Sequence, residues 1–178
     1  MSRIIADWCK RNNCVSEGEY AIVLYGLEVM FNTSLKLMGI VLAGIMLGMF
    51  REVLLSMIVF CSMRYWAGGW HSDTHIGCFS TMLAFCVSPG LLKNVETVWI
   101  IPLWIMMIVY SVYKIFRYAP QNSKVNPITD ERNLKRKRIG SIIECMLLVL
   151  IVCVCPQTAI RWLIIMPLFY EAVTLSGK

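Results

Sequence analysis

The sequence predicts an all-α integral membrane protein, a polytopic bundle of about six transmembrane helices preceded by an N-terminal interfacial amphipathic helix. Three observations carry this expectation. Hydrophobic residues make up 58% of the 178-residue chain. Charged residues make up only 16%, against roughly 25% in ordinary soluble domains. The apolar residues are also gathered into runs, separated by charges, glycines or prolines. With no long hydrophilic stretch, residues 1–178 read as a single integral membrane domain, with no room for a separate soluble one.

At the N-terminus, Arg3, Asp7, Lys10 and Arg11 interrupt any apolar core, so no cleavable signal peptide is expected. On a helix, Ile4, Ile5, Trp8 and Cys9 share one face and the charges take the other. Residues 3–14 then lie flat at a lipid surface; a plain flexible terminus is the alternative. Residues 17–50 form a run of about 51 Å as one helix, too long to cross a ~30 Å hydrocarbon core upright. The polar stretch Asn32-Thr33-Ser34 with Lys36 predicts an interfacial or bundle-packed helix over 18–31 and a crossing over 34–50. One long tilted helix is the other arrangement the same residues allow. Apolar runs at 53–67, 78–92, 95–116, 139–155 and 159–175 complete six crossings. The runs at 53–67 and 78–92, near 15 residues or ~23 Å each, are marginal for a full crossing.

Lysine and arginine placement gives the orientation. With the N-terminus in the cytoplasm, Arg3, Lys10, Arg11, Lys36, Arg64, Lys114, Arg117, Lys124, Arg132, Lys135, Arg136, Lys137, Arg138 and Lys178 fall on that side. Arg51, Lys93 and Arg161 fall on the other. This asymmetry fits an even number of crossings and puts the loop around residue 70 on the cytoplasmic side. Charges near apolar runs need partners, because a charge at mid-bilayer costs ~3 kcal/mol on insertion scales. Glu28, Arg64, Glu144 and Glu171 are the residues concerned, with Glu28 one expected partner for Arg64; snorkelling of Arg64 to the surface is the alternative. Tryptophans 66, 70, 99, 104 and 162 lie near or between run ends, where interfacial anchoring is expected. Trp66 and Trp70 are also candidates to line a peptide groove.

The chemistry concentrates between residues 64 and 78, where Arg64, Gly68, Gly69, His71, Asp73, His75 and Cys78 fall between two apolar runs. The eight cysteines show no paired spacing of a disulfide framework or of two CxxC clips. Cys61, Cys86, Cys145, Cys153 and Cys155 sit inside apolar runs and read as small packing residues. Cys78 differs. A cysteine attacks as its thiolate, which is favoured at a helix N-terminus and beside a histidine. Gly77 marks a break just before the run, so Cys78 is expected in the first helical turn, near unpaired backbone N–H groups.

A continuous helix from His71 to Cys78 would separate the two side chains by ~10.5 Å along the axis, too far for proton transfer. A Cys–His pair therefore requires a reversal between them, and Ser72, Asp73, Thr74 and Gly77 supply the turn chemistry. Gly68 and Gly69 allow close approach to a substrate and offer N–H groups to an oxyanion. The chemical rival is a zinc site, because His71, His75 and Cys78 at i, i+4 and i+7 would share one face of a true helix. No glutamate stands between the histidines as in His-Glu-x-x-His, and the neighbouring glycines disfavour a rigid helix. His75, three residues from the thiol, is an alternative base.

Arg64, Gly68-Gly69, His71 and Cys78 together resemble the signature of the accessory gene regulator protein B family. These are membrane cysteine endopeptidases that process precursors of bacterial quorum-sensing peptides. Residues 19–28, including Tyr25-Gly26-Leu27-Glu28, resemble the family's N-terminal segment, and Ala119-Pro120, Lys124 and Asn126-Pro127-Ile128 its loop before the fifth helix. The resemblance implies that Cys78 is the nucleophile and His71 its catalytic partner, with no cofactor. It also implies a homodimer and a short precursor peptide with an acidic C-terminal tail. His75 carries no implied role.

The segment 117–138 holds seven basic residues against Asp130 and Glu131 and ends in Lys135-Arg136-Lys137-Arg138. It reads as a basic cytoplasmic loop anchored to anionic lipid, and also as a site capturing the acidic tail. Nucleic acid is not an expected partner, since the charge is confined to one membrane-flanking segment with no nucleic-acid fold around it. A non-catalytic peptide transporter or membrane assembly subunit is the reading from a different functional class.

Overall fold

The computed structural model describes residues 2–12, 14–16, 18–69, 74–96, 99–121 and 130–175, with only the backbone of His75. The described residues form seven α-helices: α1 (Ser2–Arg11), α2 (Tyr20–Met46), α3 (Phe50–Ala67), α4 (His75–Leu92), α5 (Ile100–Tyr118), α6 (Glu131–Val154) and α7 (Thr158–Thr174). They divide into two compact units, 1–43 and 44–178.

In the first unit, α1 is a helix rather than a flexible terminus. Its Ile4 and Trp8 are exposed while Ala6 is buried. Asp7 accepts a hydrogen bond from the Tyr20 hydroxyl at 2.6 Å, and Lys10 lies over the Tyr20 ring. Before α2, the Ser16 hydroxyl and N–H both donate to Glu19 Oε2, at 2.6 and 3.2 Å. Those bonds favour the charged carboxylate and hold Glu19 below its ordinary value.

The expected break at Asn32-Thr33-Ser34 does not occur, because α2 runs through it as one 27-residue helix of about 40 Å. Asn, Thr and Ser each cost only a fraction of a kcal/mol in a helix interior, so long apolar flanks outweigh them. The helix stops where a residue can turn left-handed. Gly48 has φ 67°, its N–H bonds Ile45 O, and Met49 N–H reaches back to Gly44 O at 2.8 Å. This is the Schellman closure.

In the second unit, α7 packs against α3, α4, α5 and α6. Accordingly Trp162, Leu163, Ile164, Ile165, Met166, Leu168 and Ala172 are all buried, an apolar pattern around the whole helix rather than along one stripe. Phe85 of α4 stacks on Tyr170 at 4.3 Å between centroids, and Ser88 and Tyr170 share a 2.9 Å hydrogen bond. Trp104 and Trp162 do not anchor at an interface. They are buried and meet edge to face across α5 and α7 at 5.6 Å, a favourable aromatic geometry that takes both rings into the core. Trp99 is exposed.

The helix α6 begins eight residues before the apolar run does, so Lys135, Arg136, Lys137 and Arg138 stand on a helix rather than in a loop. Asp130 accepts from Arg132 N–H at 3.0 Å as the cap, Glu131 complements the first turn, and lysine and arginine are good helix formers.

Helices α2 and α5 are long and apolar enough to cross a membrane. On α5 Ile101, Ile105, Met106 and Val109 are exposed, and on α6 so are Ile143, Leu147, Leu150 and Val154. An apolar surface of that extent is penalised by water and matched by lipid. The protein is membrane-associated through these helices.

Candidate active site

The site is built where α3 ends. Gly68 caps α3 with its N–H on Arg64 O at 3.1 Å and takes φ 71°; Gly69 follows at φ 126°. Side chains rarely adopt such backbone angles, so the chain leaves α3 by a route that favours glycine at both positions. The Gly68 N–H is engaged here in closing the helix.

Each glycine is also pressed by another segment. Gln121, just beyond α5, donates its N–H to Ala67 O at 2.8 Å, and its carbonyl oxygen sits 2.5 Å from where a Gly68 Cβ would be. A Cβ on Gly69 would fall 2.5 Å from Arg64 Nη1 and 2.6 Å from Thr174 Oγ1. Trp66, half-buried, packs its ring directly on Gly140 of α6, where a Cβ would collide with it. Next to it, Tyr65 meets Trp66 edge to face and lies beneath Lys137.

Arg64 is the polar centre of the turn. Its Nη1 donates to Thr174 Oγ1 at 2.8 Å and lies 3.4 Å from Glu171 Oε2, while Thr174 Oγ1 donates to Glu171 O. Glu171 is fully buried, with Oε1 free of protein partners among the described residues. Among the described residues, Glu171 on the last helix is an acidic partner of Arg64, one that the sequence reading did not pair with it. Glu171 could be flagged as a charge needing a partner, but no local signal pairs it with Arg64.

Cys78 stands in the first turn of α4, as expected. Thr74, extended at φ −110° and ψ 141°, is the N-cap, and its Oγ1 accepts from Gly77 N–H at 3.1 Å. Cys78 N–H bonds Thr74 O at 3.0 Å, which makes Cys78 the fourth helical residue, with a half-buried free thiol. An extended Thr74 also rules out one continuous helix through residues 71–78, the geometry on which the zinc alternative depended. Of the other candidates, Trp70, His71 and Asp73 lie outside the described residues, as does the His75 side chain. Thr74→Ala removes the cap and is expected to cost about 1 kcal/mol, with Thr74→Ser neutral; faster hydrogen exchange at residues 76–78 is the check.

The architecture is that of a helical, membrane-associated protein that presents a cysteine at the start of a helix, after a braced Gly-Gly turn. The chain belongs to the accessory gene regulator B family, whose model matches residues 2–175. It is 27% identical over 171 residues to accessory gene regulator protein B of Staphylococcus aureus strain Newman, covering 96% of this chain and 88% of the relative. The corresponding protein of Staphylococcus intermedius is 25% identical over 151 residues, covering 84% and 79%. An AgrB-like protein of Clostridium perfringens strain 13 is 21% identical over 148 residues, covering 80% and 69%. No solved structure matches the chain at a significant level.

Proposed function

We propose that this protein is a membrane-embedded cysteine endopeptidase that removes the C-terminal tail from a quorum-sensing precursor peptide. The observation that carries the reading is the placement of Cys78 in the first turn of α4, after an extended Thr74 and the Gly68-Gly69 turn. Family membership supplies the substrate class. The Cys78 sulfur attacks a backbone carbonyl of the precursor, the C–N bond breaks, and the tail leaves as an amine. His71 takes the thiol proton and returns it to that amine. The resulting thioester is attacked by an internal cysteine or serine of the precursor, which closes a thiolactone or lactone and regenerates the thiol. Exchange between thioesters is nearly balanced, whereas forming a thioester from an amide is uphill, so export of the ring or destruction of the tail pulls the sequence forward.

In this reading residues 1–178 act as one peptidase domain, with α2 to α7 making six crossings and both termini and the Cys78 turn cytoplasmic, in line with the lysine and arginine bias. The protein works as a homodimer, needs no cofactor, and receives the acidic tail on the basic start of α6. Lys135, Arg136 and Arg138 are exposed there, and Lys137 reaches Tyr65 beside the turn. Reversing the charge of residues 135–138 is expected to weaken precursor binding about tenfold, with insertion unchanged. Raising salt from 0.05 to 0.5 M should weaken wild-type binding in parallel, as screening of exposed charges requires. Unchanged affinity in both measurements removes this role.

The decisive test is mass spectrometry after brief incubation in liposomes with a short precursor peptide that carries an internal cysteine and an acidic C-terminal tail. An acyl adduct on Cys78 is expected. Peptide movement that survives loss of Cys78, with no adduct, identifies a transporter instead.

A further inference from the structure

The Gly68-Gly69 turn is gripped from the far end of the chain. Arg64 Nη1 bonds Thr174 Oγ1 at 2.8 Å and Glu171 Oε2 at 3.4 Å, across sequence separations of 110 and 107 residues. The Thr174 hydroxyl is used twice, accepting from Arg64 and donating to Glu171 O at 2.8 Å. Gly69, itself buried, lies directly on this guanidinium and hydroxyl, so close that neither leaves space for a Cβ. Lys114 of α5 ties down the same end of α7 through Leu175 O at 2.8 Å.

A buried ion pair is a poor source of stability, because desolvation offsets much of the Coulombic gain. Here the carboxylate is fully buried and the guanidinium side chain only 18% exposed. What the arrangement does supply is geometry. A hydroxyl that both accepts and donates, a planar guanidinium and a helix end held by Lys114 form the surface against which Gly69 packs. That backbone lies nine residues before Cys78.

We propose that Glu171 and Thr174 are positioning residues for the Cys78 chemistry, acting through Arg64 to fix the Gly68-Gly69 turn that precedes the thiol in the chain. The inference rests on the endopeptidase reading, in which His71 activates Cys78. It adds the end of the last helix to the machinery, although neither residue touches the reacting atoms.

The test needs no precursor. Full-length protein in liposomes is pulsed with iodoacetamide at pH 7, and carboxamidomethylation of Cys78 is followed by peptide mapping, with the exposed Cys14 as internal reference. His71→Ala is expected to slow Cys78 at least fivefold relative to Cys14. Thr174→Val, which keeps shape and loses the hydroxyl, and Glu171→Gln, which keeps shape and loses the charge, should each slow it at least threefold. Thr174→Ser should return it to within twofold of wild type, a rescue that general loosening of the fold does not produce. If His71→Ala slows Cys78 while Thr174→Val and Glu171→Gln do not, or if Thr174→Ser fails to rescue, the positioning role is wrong and the endopeptidase reading stands. If His71→Ala has no effect, the endopeptidase reading fails and the positioning role goes with it. Should Thr174→Val not insert, Glu171→Gln carries the same comparison.

Discussion

Cys78→Ala is expected to lower precursor cleavage by a factor on the order of 10⁴ or more, the scale seen when a covalent nucleophile is deleted. The magnitude follows from the mechanism. On the proposed pathway there is no thioester without the sulfur, and the remaining groups can only position the peptide for attack by water. Structure should barely change. Cys78 is half-buried in the first turn of α4, and alanine is the best helix former, so α4 is expected to keep its cap on Thr74. The check is the rate of tail release by the purified variant in liposomes, together with loss of the acyl adduct. Replacing the buried Cys86 or Cys145 instead should leave cleavage near wild type, since both are enclosed in the helix core. Equal loss in those variants would identify a packing effect rather than nucleophilic catalysis.

Gly69→Ala is expected to have the second largest effect. At φ 126° a side chain is strained whatever space surrounds it, which costs about 1–3 kcal/mol. The added methyl must also displace the Arg64 guanidinium or the Thr174 hydroxyl, and overpacking of this kind costs about 1–3 kcal/mol more. We expect a destabilisation of roughly 2–4 kcal/mol, because part of the overlap is relieved by moving Arg64. Thermal unfolding in detergent measures it, and cleavage should fall along with it. Gly26→Ala is the control. It lies inside α2 with open space where its Cβ would go, so alanine should be neutral or stabilise by up to about 1 kcal/mol. Similar losses at the two glycines would show that the Gly69 geometry carries no special constraint.

The two glycines illustrate how far the chain can be read directly. Both look alike as letters, and an apolar run with polar flanks announces a helix around one and a break around the other. The same local signals place Cys78 near a helix start, but the boundary lies at the Thr74 cap rather than at Gly77, which is already helical and donates its N–H to that cap. They mislead where a weak local preference meets a long apolar context, as at residues 32–34, which stay helical. They also mislead where a cap lies upstream of the hydrophobic signal, as at Asp130, which starts α6 among the basic residues.

What the amino-acid order determined alone is therefore set within a few residues: apolar helices in a membrane-associated chain, the Gly-Gly exit from α3, and a thiol in the first turn of α4. Only the tertiary structure decided that Arg64 meets Glu171 and Thr174, that Gln121 braces Gly68, that Trp66 seats on Gly140, and that Trp104 turns inward to Trp162. The physical reason is range. Hydrophobic periodicity, capping and backbone angles act over a turn or two, so they leave a local trace. An ion pair closed across 107 residues leaves none, because either partner satisfies its own segment equally well until packing brings the two helix ends together.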